Sequence, residues 1–223
     1  DDEPAGSHTK SHRTSSAGQC GGGDVQSRQV EGKSSRSRWT ARQRSLRDCL
    51  HSVTPKLAVL DYLRRQVAGR LRTDDTTDFQ YPPPVWDLFR IEVVGVGLQE
   101  ATLRMEVTPE RYGNQQGTVH GGTLAELADA AIGTACSTAL EPEESLATIE
   151  LTVRYLRPVW RTTLTATARV ANRGRTVSHY RCEIRDDDDR LIATAESSLM
   201  SLRGAEADRR RPRTTEADST CMR

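Results

Sequence analysis

The sequence is poor in aromatic residues and has no long apolar run, and these absences exclude several classes of protein. Phe, Trp and Tyr together make up 4% of the 223 residues. No apolar stretch approaches the roughly 20 residues that a membrane-spanning helix needs. The first residues also lack the basic and then apolar pattern of a secretory signal peptide. We therefore expect a cytoplasmic protein without a membrane span.

Cysteine and lysine are scarce as well. The five cysteines are scattered, odd in number and never spaced as Cys-x-x-Cys, which argues against a disulfide framework or a zinc site. Lysine occurs only at Lys10, Lys33 and Lys56, so nearly all the basic residues are arginine. Because the formal net charge is only +1, no overall field draws the chain to a polyanion, and we expect no nucleic-acid partner.

Large apolar residues are almost absent from residues 1–50 and are scarce again near the end of the sequence. Such segments bury too little surface to offset the loss of chain entropy on folding. We predict a disordered Arg-, Ser- and Gly-rich extension over residues 1–55, a folded domain over residues 56–203 and a disordered tail over residues 204–223. Leucine and valine recur at helical spacing over residues 57–71, which predicts an amphipathic helix docked on the folded domain.

Hydrophobic periodicity in the remaining sequence predicts one long helix, over residues 123–139, among several strands. The strands are predicted at residues 101–108, 148–156, 162–171, 176–185 and 191–202. The short connections after the helix favour an antiparallel meander of the last four strands. The sequence therefore predicts an α+β fold in which a five- to six-stranded antiparallel sheet curls around the helix. In the strand at 148–156, one face is expected to carry Ile149, Leu151, Val153 and Tyr155, and the other face Glu150, Thr152 and Arg154.

A glycine-rich turn, Asn114-Gln115-Gln116-Gly117-Thr118-Val119-His120-Gly121-Gly122, leads into the long helix, and Asp129 lies inside that helix. Such a turn leaves free backbone N–H groups at the helix start, where they can polarise an electrophile. A carboxylate among small apolar helix residues is costly unless it has a task. We predict a site in which Asp129 attacks the electrophile or activates water, whereas Glu126, nearer the helix start, is expected to be solvated.

Further along, the sequence carries Thr148-x-Glu150-Leu151 and Tyr155-Leu156-Arg157-Pro158. With Asn114-x-x-Gly117-x-x-His120-Gly121-Gly122 and an acid nine residues after the histidine, these motifs resemble the PaaI-like (phenylacetate-pathway) family of acyl-CoA thioesterases. The resemblance covers residues 80–203. It implies the hotdog fold and hydrolysis of an acyl-CoA to a free acid and CoA. It also implies no metal or redox cofactor, since coenzyme A enters as part of the substrate.

The resemblance implies roles for four catalytic residues. The backbone N–H of Gly121 binds the thioester carbonyl, and Asp129 acts as nucleophile or general base. Asn114 helps to hold the carbonyl or the water. Thr148, on the strand that follows the helix, orients the water.

Five further residues are predicted to bind substrate. His120 is expected to shape the turn and contribute to binding rather than to serve as the general base, although histidine titrates near neutrality. Gly122 permits close packing beside it. Three arginines are candidates for binding the phosphates of CoA, because guanidinium groups match phosphate oxygens well: Arg157, Arg173 and Arg175.

The spacing of Gly121 and Asp129 predicts an oligomer. Eight residues apart on one helix, they lie roughly 12 Å apart along its axis. A group that attacks a carbonyl must approach it within about 3.5 Å. One helix therefore cannot supply both groups to one substrate. We expect a homodimer, or a dimer of such dimers, in which each site combines Gly121 of one subunit with the partner's Asp129.

Two other functions stay open at this point. The domain is alternatively a non-catalytic acyl-CoA-sensing hotdog domain of a transcription regulator, since a basic extension precedes it. Residues 36–71, however, lack the spacing of a helix-turn-helix motif. A hotdog hydratase is the weaker alternative, because the Asp/His pair of such a site is not found at the required spacing.

Overall fold

The computed structural model describes residues 55–210. The extension predicted over residues 1–55 therefore lies outside the described residues except for its last position, as do residues 211–223 of the predicted tail. The folded part extends past the predicted boundary at residue 203, because a short helix buries Ala207. Among the residues that the structure describes, no helix is both long and apolar enough to cross a membrane.

The described residues form five helices and six strands. They are α1 (Val59–Val67), α2 (Pro84–Phe89), β1 (Glu92–Gly97), β2 (Glu100–Val107), α3 (Pro109–Tyr112), α4 (Gly121–Ser137), β3 (Ser145–Tyr155), β4 (Thr162–Arg173), β5 (Val177–Arg185), β6 (Leu191–Leu202) and α5 (Ala205–Asp208).

All six strands form one antiparallel sheet in the order β1-β2-β4-β5-β6-β3. The predicted meander is correct for β4, β5 and β6 but wrong for β3, which pairs with β6 at the far edge of the sheet. The place beside β4 is taken by β2, with Val107 opposite Thr162. Apolar alternation identifies a strand but does not name its partner, and residues 156–161 pass across the end of the sheet to join β3 to β4.

Helix α4 lies on the inner face of this sheet and contacts strands β2 to β6. Its core-facing side is fully buried, at Leu127, Ala128, Ala131 and Ile132. Inward side chains of the strands complete the core, among them Leu103, Leu164 and Ile184. The prediction of a long helix wrapped by a five- to six-stranded antiparallel sheet is confirmed, with six strands.

The predicted N-terminal helix is shorter than its apolar pattern. Helix α1 packs against β1 through a small cluster that includes the fully buried Leu63. It ends at Val67 because Gly69, at φ 63°, adopts the left-handed conformation that ends many helices. The amide of Arg70 then donates to the carbonyl of Arg65 at 2.8 Å, which completes the C-terminal cap. Leu71, predicted to lie on the apolar face, falls beyond this end and is exposed.

Strand β3 contains a β-bulge at Ile149. The expectation that Ile149 shares a face with Leu151 and Val153 is wrong, because the bulge takes Ile149 out of the alternation and leaves its side chain 55% exposed. Before the bulge, Thr148 lies opposite Leu199, and after it Tyr155 lies opposite Ala193. Both partners on β6 are buried on the inner face, so the extra residue places Thr148 and Tyr155 on the same side of the sheet, toward α4.

Candidate active site

The turn before α4 is held together by Asn114. Its Oδ1 accepts hydrogen bonds from the amides of Gln116 at 2.9 Å and Thr118 at 3.3 Å, and its Nδ2 donates to the Thr118 hydroxyl at 3.0 Å. Gly117 takes the positive φ of 78° that the tight turn requires. The side chain of Asn114 is thus hydrogen-bonded within its own loop, to Gln116 and Thr118, rather than to Gly121 or Asp129.

His120 caps the N-terminus of α4. Its Nδ1 accepts a hydrogen bond from the Gly122 amide at 2.9 Å, so in the neutral ring the proton lies on Nε2. The Gly121 amide, by contrast, donates to no acceptor among residues 55–210. It therefore remains available to a ligand at the N-terminus of a 17-residue helix, where the helix dipole favours negative charge.

A cavity of about 350 Å³ opens beside Gly121. Its walls are formed by the turn before α4, by the first turn of the helix and by the segment after β3, which includes Arg157. Tyr155 lines the cavity together with Gly121, and its hydroxyl donates to the carbonyl oxygen of Gly121 at 3.0 Å. The apolar part of the cavity wall is formed by the side chains of Leu124, Leu156 and Val159.

Asp129 lies two turns further along α4 and is half-buried. The hydroxyl of Thr148 donates to its Oδ1 at 3.3 Å, so the structure brings these two predicted residues together. Burial raises the pKa of the Asp129 carboxyl above its usual value, and the hydrogen bond from Thr148 partly offsets that increase. A carboxylate in such surroundings is a stronger base than one in water.

Glu126 is a second carboxyl on the same side of α4, and sequence reasoning placed it wrongly in solvent. Its side chain is half-buried and accepts no hydrogen bond from the described residues. Burial first, and the charge of Asp129 second, raise the pKa of Glu126. The sequence did carry a signal that Glu126 lies close to Asp129. The two are three residues apart, which brings helix side chains within about 5–6 Å at their Cβ atoms.

The three arginines predicted to bind phosphate do not meet within one chain. Arg157 lines the cavity beside Gly121, and its guanidinium donates to the carbonyl of Leu191. Arg173 donates to the carbonyl of Ala139 at 3.3 Å, just beyond the opposite end of α4. Arg175 follows in the turn after β4 and is exposed. The 17 residues of α4 span roughly 25 Å, so Arg157 lies near one end of this helix and Arg173 near the other.

The structure thus divides the predicted site into two parts. Gly121, His120, Gly122 and Arg157 lie at the start of α4, and Asp129 with Thr148 lies further along it. Within residues 55–210 no group of three or more His, Cys, Asp or Glu side chains is arranged to hold a metal ion.

Comparisons with known proteins agree with this architecture. Residues 116–193 match the thioesterase superfamily. The medium/long-chain acyl-CoA thioesterase YigI of Salmonella typhimurium is 32% identical over 114 residues, covering 45% of this chain and 74% of the relative. The acyl-coenzyme A thioesterase PaaI of Escherichia coli is 32% identical over 106 residues, covering 46% and 71%. The solved structure of Escherichia coli PaaI, from the phenylacetic acid degradation operon, has a TM-score of 0.51 and 27% identity, over 55% of this chain and 87% of that one.

The sheet order, the single helix within the sheet and the glycine-rich helix start define a hotdog-fold protein with a carboxylate on its central helix. The relatives are matched over more than two thirds of their own length. The chain belongs to the thioesterase superfamily, as a PaaI-like hotdog thioesterase. The resemblance and the fold expected from the sequence are thereby confirmed.

Proposed function

We propose that this protein hydrolyses acyl-CoA thioesters to a free acid and CoA, at two sites that each combine residues from both subunits of a homodimer. The observation that carries this proposal is the pairing of an unengaged amide at Gly121 with a half-buried carboxylate at Asp129 on the same helix. An oxyanion donor and a base or nucleophile are the two groups that thioester hydrolysis requires.

The separation of the two groups is the reason for a shared site. Gly121 and Asp129 both lie within α4, eight residues apart, which corresponds to roughly 12 Å along the axis. Attack on a carbonyl bound at Gly121 requires a distance of about 3.5 Å. A second α4, running antiparallel beside the first, supplies the partner's Asp129 at the required place.

The edge of the sheet supports association of two copies. Strand β3 is 11 residues long, and among residues 55–210 it pairs on one side only, with β6. It exposes Ile149 and Tyr155, which are 55% and 53% accessible in one chain. A long edge strand with apolar side chains is a ready surface for pairing with another strand. Because β3 also carries Thr148, this edge adjoins the site.

In the reaction that we propose, the thioester oxygen accepts the Gly121 N–H and takes on negative charge as the carbonyl carbon is attacked. The partner's Asp129 either removes a proton from the attacking water or attacks the carbon itself to form an anhydride that water then cleaves. Collapse of the intermediate breaks the C–S bond and releases CoA as its thiolate, which takes up a proton. Thr148 holds the Asp129 carboxylate in the orientation that either route needs.

The two routes are separated by a single turnover in water enriched in oxygen-18. Direct attack by Asp129 transfers the heavy oxygen into its carboxyl group when water cleaves the anhydride at the aspartyl carbonyl, so label in Asp129 identifies direct attack. General-base catalysis places the heavy oxygen in the released acid alone. Mass spectrometry of the peptide that contains Asp129 distinguishes the two results.

The substrate is proposed to extend from the Gly121 amide along the 350 Å³ cavity, with Arg157 placed to contact a CoA phosphate. Because the relatives act on medium- and long-chain acyl-CoA or belong to phenylacetic acid degradation, both aliphatic and arylacetyl thioesters belong in the assay. The purified protein should release free thiol from at least one of them. Asp129→Asn should reduce kcat by a factor of 100 or more, whereas Asp87→Asn, an exposed acid on α2, should leave it unchanged.

Mixing two inactive variants tests whether the sites are shared. Gly121→Pro removes the amide donor, and the first helical position accepts proline. Gly121→Ala serves for comparison, because it adds a Cβ but keeps the N–H. Exchange of subunits between Gly121→Pro and Asp129→Asn forms heterodimers with one intact site. Random assortment should restore about a quarter of wild-type activity. Recovery of no activity after confirmed exchange would contradict a shared site.

A further inference from the structure

The peptide group that joins Gly121 to Gly122 is held at both ends. Its carbonyl oxygen accepts the Tyr155 hydroxyl at 3.0 Å, and its N–H donates to Nδ1 of His120 at 2.9 Å. The preceding peptide group carries the Gly121 N–H, and its carbonyl, on His120, accepts the Thr123 amide at 3.0 Å. Both peptide planes that flank the Gly121 Cα are therefore fixed by hydrogen bonds.

Tyr155 also occupies the space where a side chain at position 121 would lie. A Cβ built on Gly121 would come within 3.0 Å of the tyrosine Cζ and within 3.2 Å of its hydroxyl oxygen. The ring therefore lies against the backbone of the helix start rather than in the core, and it is 53% exposed in one chain. The register of β3 places Tyr155 opposite the buried Ala193, which turns it toward α4.

We propose that Tyr155 is a positioning residue that fixes the Gly121 amide in the direction needed to bind the developing oxyanion. Glycine lacks the side chain that restricts φ and ψ in other residues, so contacts from outside the helix take over that role. An oxyanion donor is effective only when it is held in place before the reaction. This inference rests on the proposed hydrolysis, in which Gly121 binds the thioester oxygen.

Replacement of Tyr155 by phenylalanine removes the hydroxyl and keeps the ring. We expect kcat to fall about tenfold, less than the loss of a whole donor, with KM within about twofold of wild type. The acid limb of the pH profile should not move, because Asp129 is untouched. Tyr62→Phe is the matched control, since that hydroxyl also donates to a backbone carbonyl, that of Tyr81 at 3.4 Å, but on α1. Wild-type kcat in Tyr155→Phe, or a loss confined to KM, would overturn the proposal.

A second measurement reports on the amide without using activity. In Tyr155→Phe the loosened peptide should expose the Gly122 N–H, so its hydrogen exchange, followed by NMR, should become at least fivefold faster than in wild type and in Tyr62→Phe. Unchanged exchange would refute the positioning role. If the wild-type protein releases no thiol, the proposed hydrolysis fails, and faster Gly122 exchange would still show that Tyr155 holds this peptide group.

Discussion

The hydrogen bond between Thr148 and Asp129 makes a quantitative prediction about pH. In the proposed reaction Asp129 acts in its ionised form, so activity is lost as the pH falls through its pKa. Burial raises that pKa and the Thr148 hydroxyl lowers it. Thr148→Val removes only the hydroxyl that lowers the pKa of Asp129, and valine is well accommodated in a β-strand. The pKa of Asp129 should therefore rise further, and the acid limb of kcat/KM should move to higher pH.

The length of the bond sets the size of this shift. Hydrogen bonds to charged groups contribute about 1.5–3 kcal/mol, but this one is 3.3 Å long and Thr148 is exposed, so about 1 kcal/mol is appropriate. At 1.36 kcal/mol per unit, the acid limb should move by about 0.7 pH unit.

Profiles of kcat/KM are the correct assay for this shift, because they report the free enzyme. Thr148→Ser keeps a hydroxyl and serves as the control, with a limb close to that of wild type. An unshifted limb in Thr148→Val, or a shift toward lower pH, would refute the assignment of Asp129 as the group that titrates or of Thr148 as its partner.

Three further outcomes are expected. Asp129→Asn should lower the pKa of Glu126, because it removes a negative charge that raises it; an unchanged or higher pKa of Glu126 in a carbon-13 NMR titration would contradict the coupling. Asp129→Asn should raise Tm by about 1–3 °C at pH 7 and by less near pH 4, because an acid whose pKa is raised by folding destabilises the fold increasingly as the pH rises from its unfolded pKa through its folded pKa; calorimetry at both pH values tests this. Ile149→Lys should weaken dimerisation in analytical ultracentrifugation and reduce activity in parallel, since it places a charge on the exposed edge of β3; a fully active monomer would argue against the shared site.

The fold was largely predictable because its main elements have strong periodicity. The apolar run after the glycine-rich turn gave α4 within two residues at each end, and β6 was predicted with the bounds observed. The partner of β3 was not predictable in the same way. Alternation records which face of a strand is buried, and β3 would bury the same face beside β4 as beside β6.

The candidate site was likewise predictable from the sequence only in part. The pairing of Asp129 with Thr148 follows from motifs, and the structure places the two in contact. The proximity of Glu126 to Asp129 follows from their spacing on the helix, but the burial of Glu126 does not, because it depends on how closely the sheet curls around α4. Alternation places Tyr155 on one face with Leu151 and Val153, but its contact with Gly121 depends on how the end of β3 lies against the start of α4, which spacing does not record.

The extra residue in β3 keeps the two halves of the site in phase. Strict alternation along β3 would turn Thr148 and Tyr155 to opposite sides of the sheet, since they lie seven positions apart in the sequence. Deleting residue 149 would reduce this separation to six, so a regular ladder would still turn both side chains toward α4. Straightening the strand with every residue retained would instead turn one of them away, so that either the acid or the amide loses its support while the other keeps it. The strand should therefore tolerate a deletion at this point better than loss of the bulge alone.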